Sequence, residues 1–313
     1  MAFGGGHGLA AALAAWRRVT SELTAVVTVA DDGGSSGRIR REMPVLPPGD
    51  LRMALAALAG DGVRGPDLAA LLQHRLGGAG ALAGHPVGNL VLTGLTEMHG
   101  GDTVRALDEL ADLLDCCGRV LPMADVPLDL VARVESTDPD DPERARTIRG
   151  QVAIATTPGH VREILVSPPD PPVNQAVLDA IAAADVVSLG PGSWYTSVLP
   201  HLLVPKLRAA LVDAQARVVV VLNLEPQPGE TDGFSPEEHL SVLQAHLSGV
   251  ALHTVIADAD SVVDRRGLLS AVREFGAELV LAPVAEQGGA PRHDPERLSA
   301  VLAGVVAGVV GPR

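Results

Sequence analysis

The chain is 313 residues long with a formal net charge of −14, so it lacks the basic balance expected of a duplex nucleic-acid binder. Hydrophobic residues make up 47% of it and aromatic ones only 2%, which calls for a core built from Ala, Leu and Val rather than rings. The length suits one large α/β domain or two average ones, and the adjacent pair Cys116 and Cys117 offers neither a disulfide framework nor zinc-ligand spacing.

Only Met1-Ala2-Phe3 precede the first glycine loop, where a complete strand is expected; a start inside the natural strand is favoured over a very short strand. No charged segment followed by an apolar one opens the chain, so no secretory signal is expected and the cytoplasm is the expected location. In the loop Gly4-Gly5-Gly6-His7-Gly8-Leu9, residues Gly6, Gly8 and Ala11 fit the G-x-G-x-x-G/A pattern. Such glycines let backbone approach a phosphate, and the following helix supplies N–H groups and partial positive charge. A tight strand-to-helix turn would explain the same residues.

Thr24–Ala30 reads as a strand buried on both faces. It delivers Asp31-Asp32-Gly33-Gly34-Ser35-Ser36-Gly37-Arg38-Ile39-Arg40. A plain NAD site needs one acid here for the ribose. This segment adds a second flexible loop that can wrap an anion through N–H groups, with two hydroxyls and two guanidiniums. Arg38 or Arg40 can grip a phosphate in a fork, while Asp31 and Asp32 can hold sugar hydroxyls or a hydrated Mg²⁺.

Asp50 stands directly before an Ala- and Leu-rich helix starting at Leu51, either as a plain N-cap or as a cap that also presents its carboxylate to a cleft. Arg52, in the first turn, opposes the helix dipole, which favours an anionic partner. Gly84-His85-Pro86-Val87-Gly88-Asn89 puts an imidazole and an amide on a turn; His85 is either structural or a ligand contact, and no second His or Cys makes it a metal site. Asp102–Leu114 reads as an amphipathic helix capped by Asp102 or Thr103.

The middle differs. Leu128, Leu130, Ala132 and Val134 alternate as in a half-exposed strand, 136–143 is an Asp/Pro-rich loop, and strands over Gln151–Thr157 and Val161–Ser167 flank a Pro158-Gly159 turn. Residues 118–168 therefore read as an antiparallel insertion. After it, Val186–Leu189 leads into Gly190-Pro191-Gly192-Ser193-Trp194-Tyr195-Thr196, where the second half of a doubly wound sheet begins. Trp194 and Tyr195 are either a platform for a base or sugar, or core. Arg217–Asn223 is a buried strand, and its continuation carries Asn223 and Glu230 at the edge where ligands bind in open α/β sheets. Ser235-Pro236-Glu237-Glu238 is a capping box, and strands are expected near Leu252–Ala257 and Glu278–Ala282. Leu298, Val301, Leu302, Val305 and Val309 share one helical face, and the apolar stretch Ala300–Val310 is too short to span a bilayer. The fold class is Rossmann-like α/β with a doubly wound, mostly parallel sheet.

Together GGGHGL, VTVADDGGSSGRIR, PPGDLR, HPVGNL, GPGSWYTSVLPHLLVP and NLEPQPGETDGFS resemble the ordered motif set of the YvcK-type gluconeogenesis factors, within the wider 2-phospho-L-lactate transferase (CofD-like) family. The resemblance spans the chain, 1–313, as one domain, and RGQVAIATTPG sides with the actinobacterial members. It implies a similar fold and binding of UDP-sugars such as UDP-N-acetylglucosamine. It also implies support of cell shape and wall synthesis on gluconeogenic carbon, with no firm catalytic activity. The transferase itself joins a lactyl phosphate to a deazaflavin precursor using a guanylylated donor and Mg²⁺; it lacks the DDGGSSGR continuation and PPGD.

The first functional reading is thus a nucleotide-sugar sensor, with no cofactor required. A Mg²⁺-dependent transferase holding the metal through Asp31, Asp32 or Asp50 is the second, and an NAD enzyme the third. Neither nucleic acid nor membrane is an expected partner. A homo-oligomer and an unidentified protein partner stay open.

Overall fold

The computed structural model describes residues 1–135, 146–157, 161–227, 229–288 and 291–310, residues 309 and 310 by their backbone alone. The loop expected over 136–143, the Pro158-Gly159 turn and the Val309 side chain lie outside what is described.

Seven strands form one parallel sheet in the order β10-β9-β8-β7-β1-β2-β3. They are β1 (Ala2–Gly4), β2 (Thr24–Val27), β3 (Arg119–Pro122), β7 (Val186–Leu189), β8 (Arg217–Val221), β9 (Thr254–Asp258) and β10 (Glu278–Ala282). The remaining three, β4 (Asp129–Val134), β5 (Arg146–Arg149) and β6 (Val161–Ser167), make an antiparallel sheet in the order β5-β4-β6. This is the Rossmann-like α/β class.

In this chain β1 spans three residues. Ala2 and Phe3 pair in parallel with both β2 and β7 and are fully buried at the centre of the sheet. From β1 the chain winds to one side through β2 and β3, and from β7 to the other through β8, β9 and β10. The order reverses between β1 and β7, so a crevice opens beyond their carboxyl ends.

Helix α1 (Gly6–Trp16) follows β1, α2 (Gly34–Glu42) follows β2, and α3 (Pro48–Leu58) packs on α1. Leu9, Leu13, Leu51, Leu55 and Leu58 are buried, the aliphatic core that the composition demands. Asp102 caps the helix Thr103–Leu113 by accepting the Arg105 N–H at 3.0 Å. Ser235 and Glu238 close a complete capping box on the helix Pro236–Leu247. Cys116 and Cys117 are free and half-buried.

Three expectations need correction. Gln151–Thr157 is not a strand: residues Gln151–Ala155 form a short helix, and β6 pairs with β4, whose other neighbour is β5. Gly150, at φ 101°, turns the chain out of β5, and the Asp32 carboxylate accepts the Val152 N–H at 3.0 Å, favouring a helix start over a ladder. The span 118–168 is not antiparallel throughout, because β3 pairs in parallel with β2 and extends the main sheet. Finally, the Gly-Ser-Ser-Gly segment is no flexible loop: from Gly34 it is helix α2, with Ser35 and Ser36 buried.

Candidate functional site

At the carboxyl end of β1 the chain passes through Gly5, the N-cap of α1, and at the end of β2 through Gly33, the N-cap of α2. Neither residue has a side chain with which to cap, so the first-turn N–H groups of both helices are left to other partners, Asp50 taking that of Gly6. Gly5 is required by crowding: a methyl group there would fall 2.5 Å from Asp50 Oδ2 and from the Thr28 methyl. Gly8 is required by a second approach, since its Cβ would meet Pro191 O at 2.3 Å and Gly192 Cα at 2.5 Å. The two glycine loops therefore touch backbone to backbone across the β1–β7 boundary. His7, beside them, is exposed.

Asp50 is not the N-cap of α3. Pro47 holds that position and Asp50 sits in the first turn, half-buried, where it accepts the Gly6 N–H. Its carboxyl is pushed up to about 7, first by burial and then by the negative charge of Asp31; the Gly6 hydrogen bond and Arg52 oppose the shift. Arg52 is 4% exposed, and its Nε finds no hydrogen-bond partner. Its pKa is lowered to about 10 by burial and by Arg75, against Asp50 and Asp31. A guanidinium so enclosed, beside a second cation, suits an anionic ligand.

Asp31 and Asp32, adjacent in sequence, part company. Asp31 accepts the Gly33 N–H at 2.9 Å and stays within electrostatic reach of Asp50 and Arg52. Asp32 turns to the insertion and holds Val152. Among the described residues no three or more His, Cys, Asp or Glu are grouped to hold a metal. Mg²⁺, which keeps most of its waters, needs only one or two carboxylates, and Asp31 with Asp50 fits that demand; Asp32 does not.

Arg38 and Arg40 of α2 are also committed. Arg38 donates to the carbonyls of Ala83 (2.8 Å) and Ala81 (3.4 Å), fixing the turn before His85. Arg40 bridges Asp31 O and the Asp129 carboxylate. The expected phosphate fork from Arg38 or Arg40 is therefore corrected: Arg52 is the guanidinium beside the acid pair.

Ser35, His85 and Asn89 converge. Asn89 Nδ2 donates to Ser35 Oγ at 2.9 Å, and Ser35 Oγ shares a hydrogen bond of 2.7 Å with His85 Nδ1. Burial, followed by Arg38, lowers the pKa of His85 and favours the neutral ring. Ser36 Oγ accepts the Gly49 N–H at 3.0 Å, tying α2 to α3.

Across the crevice, Gly190 and Gly192 carry positive φ, and Ser193 starts a wide π-helical turn over Trp194–Val198. Glu230 organises it: Ser193 Oγ donates at 2.5 and 2.6 Å, Thr196 Oγ1 at 2.9 Å and the Tyr195 N–H at 3.3 Å. Burial raises the Glu230 pKa, and these three donors oppose the rise. Asn223 fastens Gly192 through both ends of its amide. Trp194 and Tyr195 are no ligand platform. Their exposures are 0% and 3%, and the indole donates to His239 O at 3.1 Å, so both rings belong to the core.

Sequence reasoning missed three contributors. Thr28, the only polar residue inside the run Ala25–Ala30, is buried under Gly5 with its Oγ1 unpartnered, and that interruption was the available signal. Arg75 acts on Arg52 from outside every motif. Gln151 reaches Thr196 Oγ1 at 3.3 Å, which required the unexpected helix.

The model of the family described as 2-phospho-L-lactate transferase CofD matches residues 1–281. The chain is 56% identical over 314 residues to the putative gluconeogenesis factor of Mycobacterium tuberculosis, covering 99% of this chain and 91% of that protein. It is 36% identical over 262 residues to the gluconeogenesis factor of Bacillus subtilis, covering 84% and 79%. A crystal structure of a UPF0052 family member from Bacillus halodurans superposes with a TM-score of 0.85 at 33% identity, over 96% of this chain and 97% of that one. The motif-bearing loops thus sit on a shared framework, and the chain belongs to the CofD family, among the homologues of the gluconeogenesis factors.

Proposed function

We propose that the protein is a cytoplasmic nucleotide-sugar-binding regulator, with UDP-N-acetylglucosamine or a close analogue as its ligand, that supports cell shape and wall synthesis during gluconeogenic growth. One observation carries the reading: two helix N-termini with glycine N-caps, the α1 Gly6 N–H held by Asp50, and the buried Arg52 gather around Asp31 and Asp50 near the strand-order reversal. A diphosphate would take the N–H groups and the guanidinium, while Asp31 and exposed polar groups would meet sugar hydroxyls. Similarity to proteins called gluconeogenesis factors supports the physiological half. A ligand-state reader, a second copy or another protein, completes such a regulator.

Isothermal calorimetry with UDP-N-acetylglucosamine, UDP and GDP tests it. Saturable heat with the nucleotide sugar is expected; silence with all three overturns the reading.

The Asp31–Asp50 pair favours one alternative, a Mg²⁺-dependent transferase of the 2-phospho-L-lactate type. Bound there, the metal would neutralise phosphate charge, and the residues would contribute positioning rather than a conspicuous base. Product formed from a guanylylated phospho-acid and a deazaflavin precursor would replace the first reading with this one. No turnover in the presence of Mg²⁺ removes it.

A further inference from the structure

Ser193 is the N-cap of the turn after β7 and accepts the Thr196 N–H at 3.3 Å, a role that uses only a lone pair of its hydroxyl. The hydroxyl hydrogen goes to Glu230, whose two carboxylate oxygens stand 2.5 and 2.6 Å from Ser193 Oγ. Glu230 arrives from the loop after β8, 37 residues along the chain, and is 9% exposed. Among the described residues no cation pairs with it, so three donors hold its charge: the Ser193 and Thr196 hydroxyls and the Tyr195 N–H. Burial raises its pKa, which makes it a stronger proton acceptor than an exposed carboxylate. Ser193 itself is only half-buried. A reachable hydroxyl bonded to a buried carboxylate is the arrangement of a nucleophile and its base.

The neighbours of Ser193 put it beside the N-terminus of α1. Gly192, just before it, adjoins Gly8 in the first turn of α1, where a Cβ on Gly8 would fall 2.5 Å from Gly192 Cα. Four residues on, Ser197 Oγ lies 3.3 Å from where a Cβ on Gly5 would stand. The turn from Ser193 to Ser197 therefore runs along the start of α1. Arg52, 4% exposed with Nε unpartnered, adjoins the same terminus through Asp50, which holds the Gly6 N–H. A phosphate drawn to the α1 N–H groups and to Arg52 would thus lie next to the Ser193 hydroxyl.

We propose that Ser193 is a nucleophile that cleaves the phosphoanhydride of the bound diphosphate, with Glu230 as its general base. Ser193 Oγ attacks one phosphorus, and an Oγ–P bond forms as the hydroxyl hydrogen passes to Glu230. The bridging P–O bond breaks with its electron pair, and the other half leaves as a phosphate monoester that takes the proton from Glu230. Water then attacks the same phosphorus; Glu230 accepts its proton and returns it to Ser193 Oγ as the Oγ–P bond breaks. A UDP-sugar and water become UMP and a sugar 1-phosphate. The α1 N–H groups and Arg52 would stabilise charge on the phosphoryl oxygens. The inference rests on the crevice being a diphosphate receptor, and it adds that the receptor consumes its ligand and so ends its own signal.

Incubating the native chain with UDP-N-acetylglucosamine and Mg²⁺, following UMP by chromatography and quenching samples in acid for peptide mass spectrometry tests it. UMP and sugar 1-phosphate are expected in equal amounts, with a phosphate-linked adduct on Ser193. Release should slow as pH falls and Glu230 takes up its proton. Ser193→Ala should reduce release to background, and Glu230→Gln should slow it about a hundredfold and remove that pH dependence. Should either variant fail to fold, the adduct on the native chain decides: its presence on Ser193 supports the nucleophile and its absence overturns it. Saturable calorimetric heat with UDP-N-acetylglucosamine but no UMP, or release that Ser193→Ala retains, overturns the nucleophile and spares the diphosphate reading. No heat with UDP-N-acetylglucosamine, UDP or GDP overturns both.

Discussion

Asn223 and Gly192 exchange two hydrogen bonds of 2.9 Å, the Gly192 N–H to Oδ1 and Nδ2 to the Gly192 carbonyl. A side-chain amide at the end of β8 thus acts as a piece of strand edge for the glycine loop after β7, satisfying both peptide groups of a residue at φ 142°. Removing the amide with Asn223→Ala should cost about 1–3 kcal/mol of stability, since both groups lose partners. It should also weaken nucleotide binding by loosening Ser193. Urea denaturation read alongside calorimetry checks both effects.

The contact of Gly8 with Pro191 and Gly192 is between backbones, so nothing flexible can yield to a new methyl group. Gly8→Ala is expected to destabilise by about 3 kcal/mol, at the upper end of overpacking costs. His7→Ala, one residue away but exposed, should stay within about 0.5 kcal/mol of the native chain. Thermal midpoints of the two variants give the comparison.

Arg52 is the enclosed cation next to Asp31 and Asp50. Arg52→Met keeps much of the volume and deletes the charge. Affinity for UDP-N-acetylglucosamine should fall at least tenfold, about 1.4 kcal/mol. Retained affinity would move the phosphates away from α3.

Glu230 links pH to the same loops. Its folded-state pKa is raised above the ordinary 4.5, so the folded chain holds the proton more tightly than the unfolded one. Its contribution is fully present below 4.5 and is lost as pH rises through the higher folded-state value. Glu230→Gln retains an acceptor for Ser193 and Thr196 without titrating. The variant's thermal midpoint should decline less than the native one between mild acid and neutrality.

Short β-branched runs made the parallel sheet readable. Val186–Leu189, buried at every position, and Glu278–Ala282, a half-buried edge strand, both lie where their apolar runs put them. Local capping chemistry was equally plain at Asp102 and at Ser235 with Glu238, since donor and acceptor are three residues apart. Helix α2 was not readable. Gly and Ser are weak helix formers, and what stabilises that turn comes from elsewhere: Gly49 on Ser36, Asn89 and His85 around Ser35.

Residue types and their order along the chain determined the class of fold, the glycine loops at strand ends and the family to which they belong, because these depend on neighbours in sequence. Only the tertiary structure decided that Asp31 faces the crevice while Asp32 leaves it, that Arg52 rather than Arg38 is the enclosed cation, and that Trp194 is core. Those choices depend on which distant carbonyls, carboxylates and N–H groups compete for each side chain, and that competition is settled only when the elements pack.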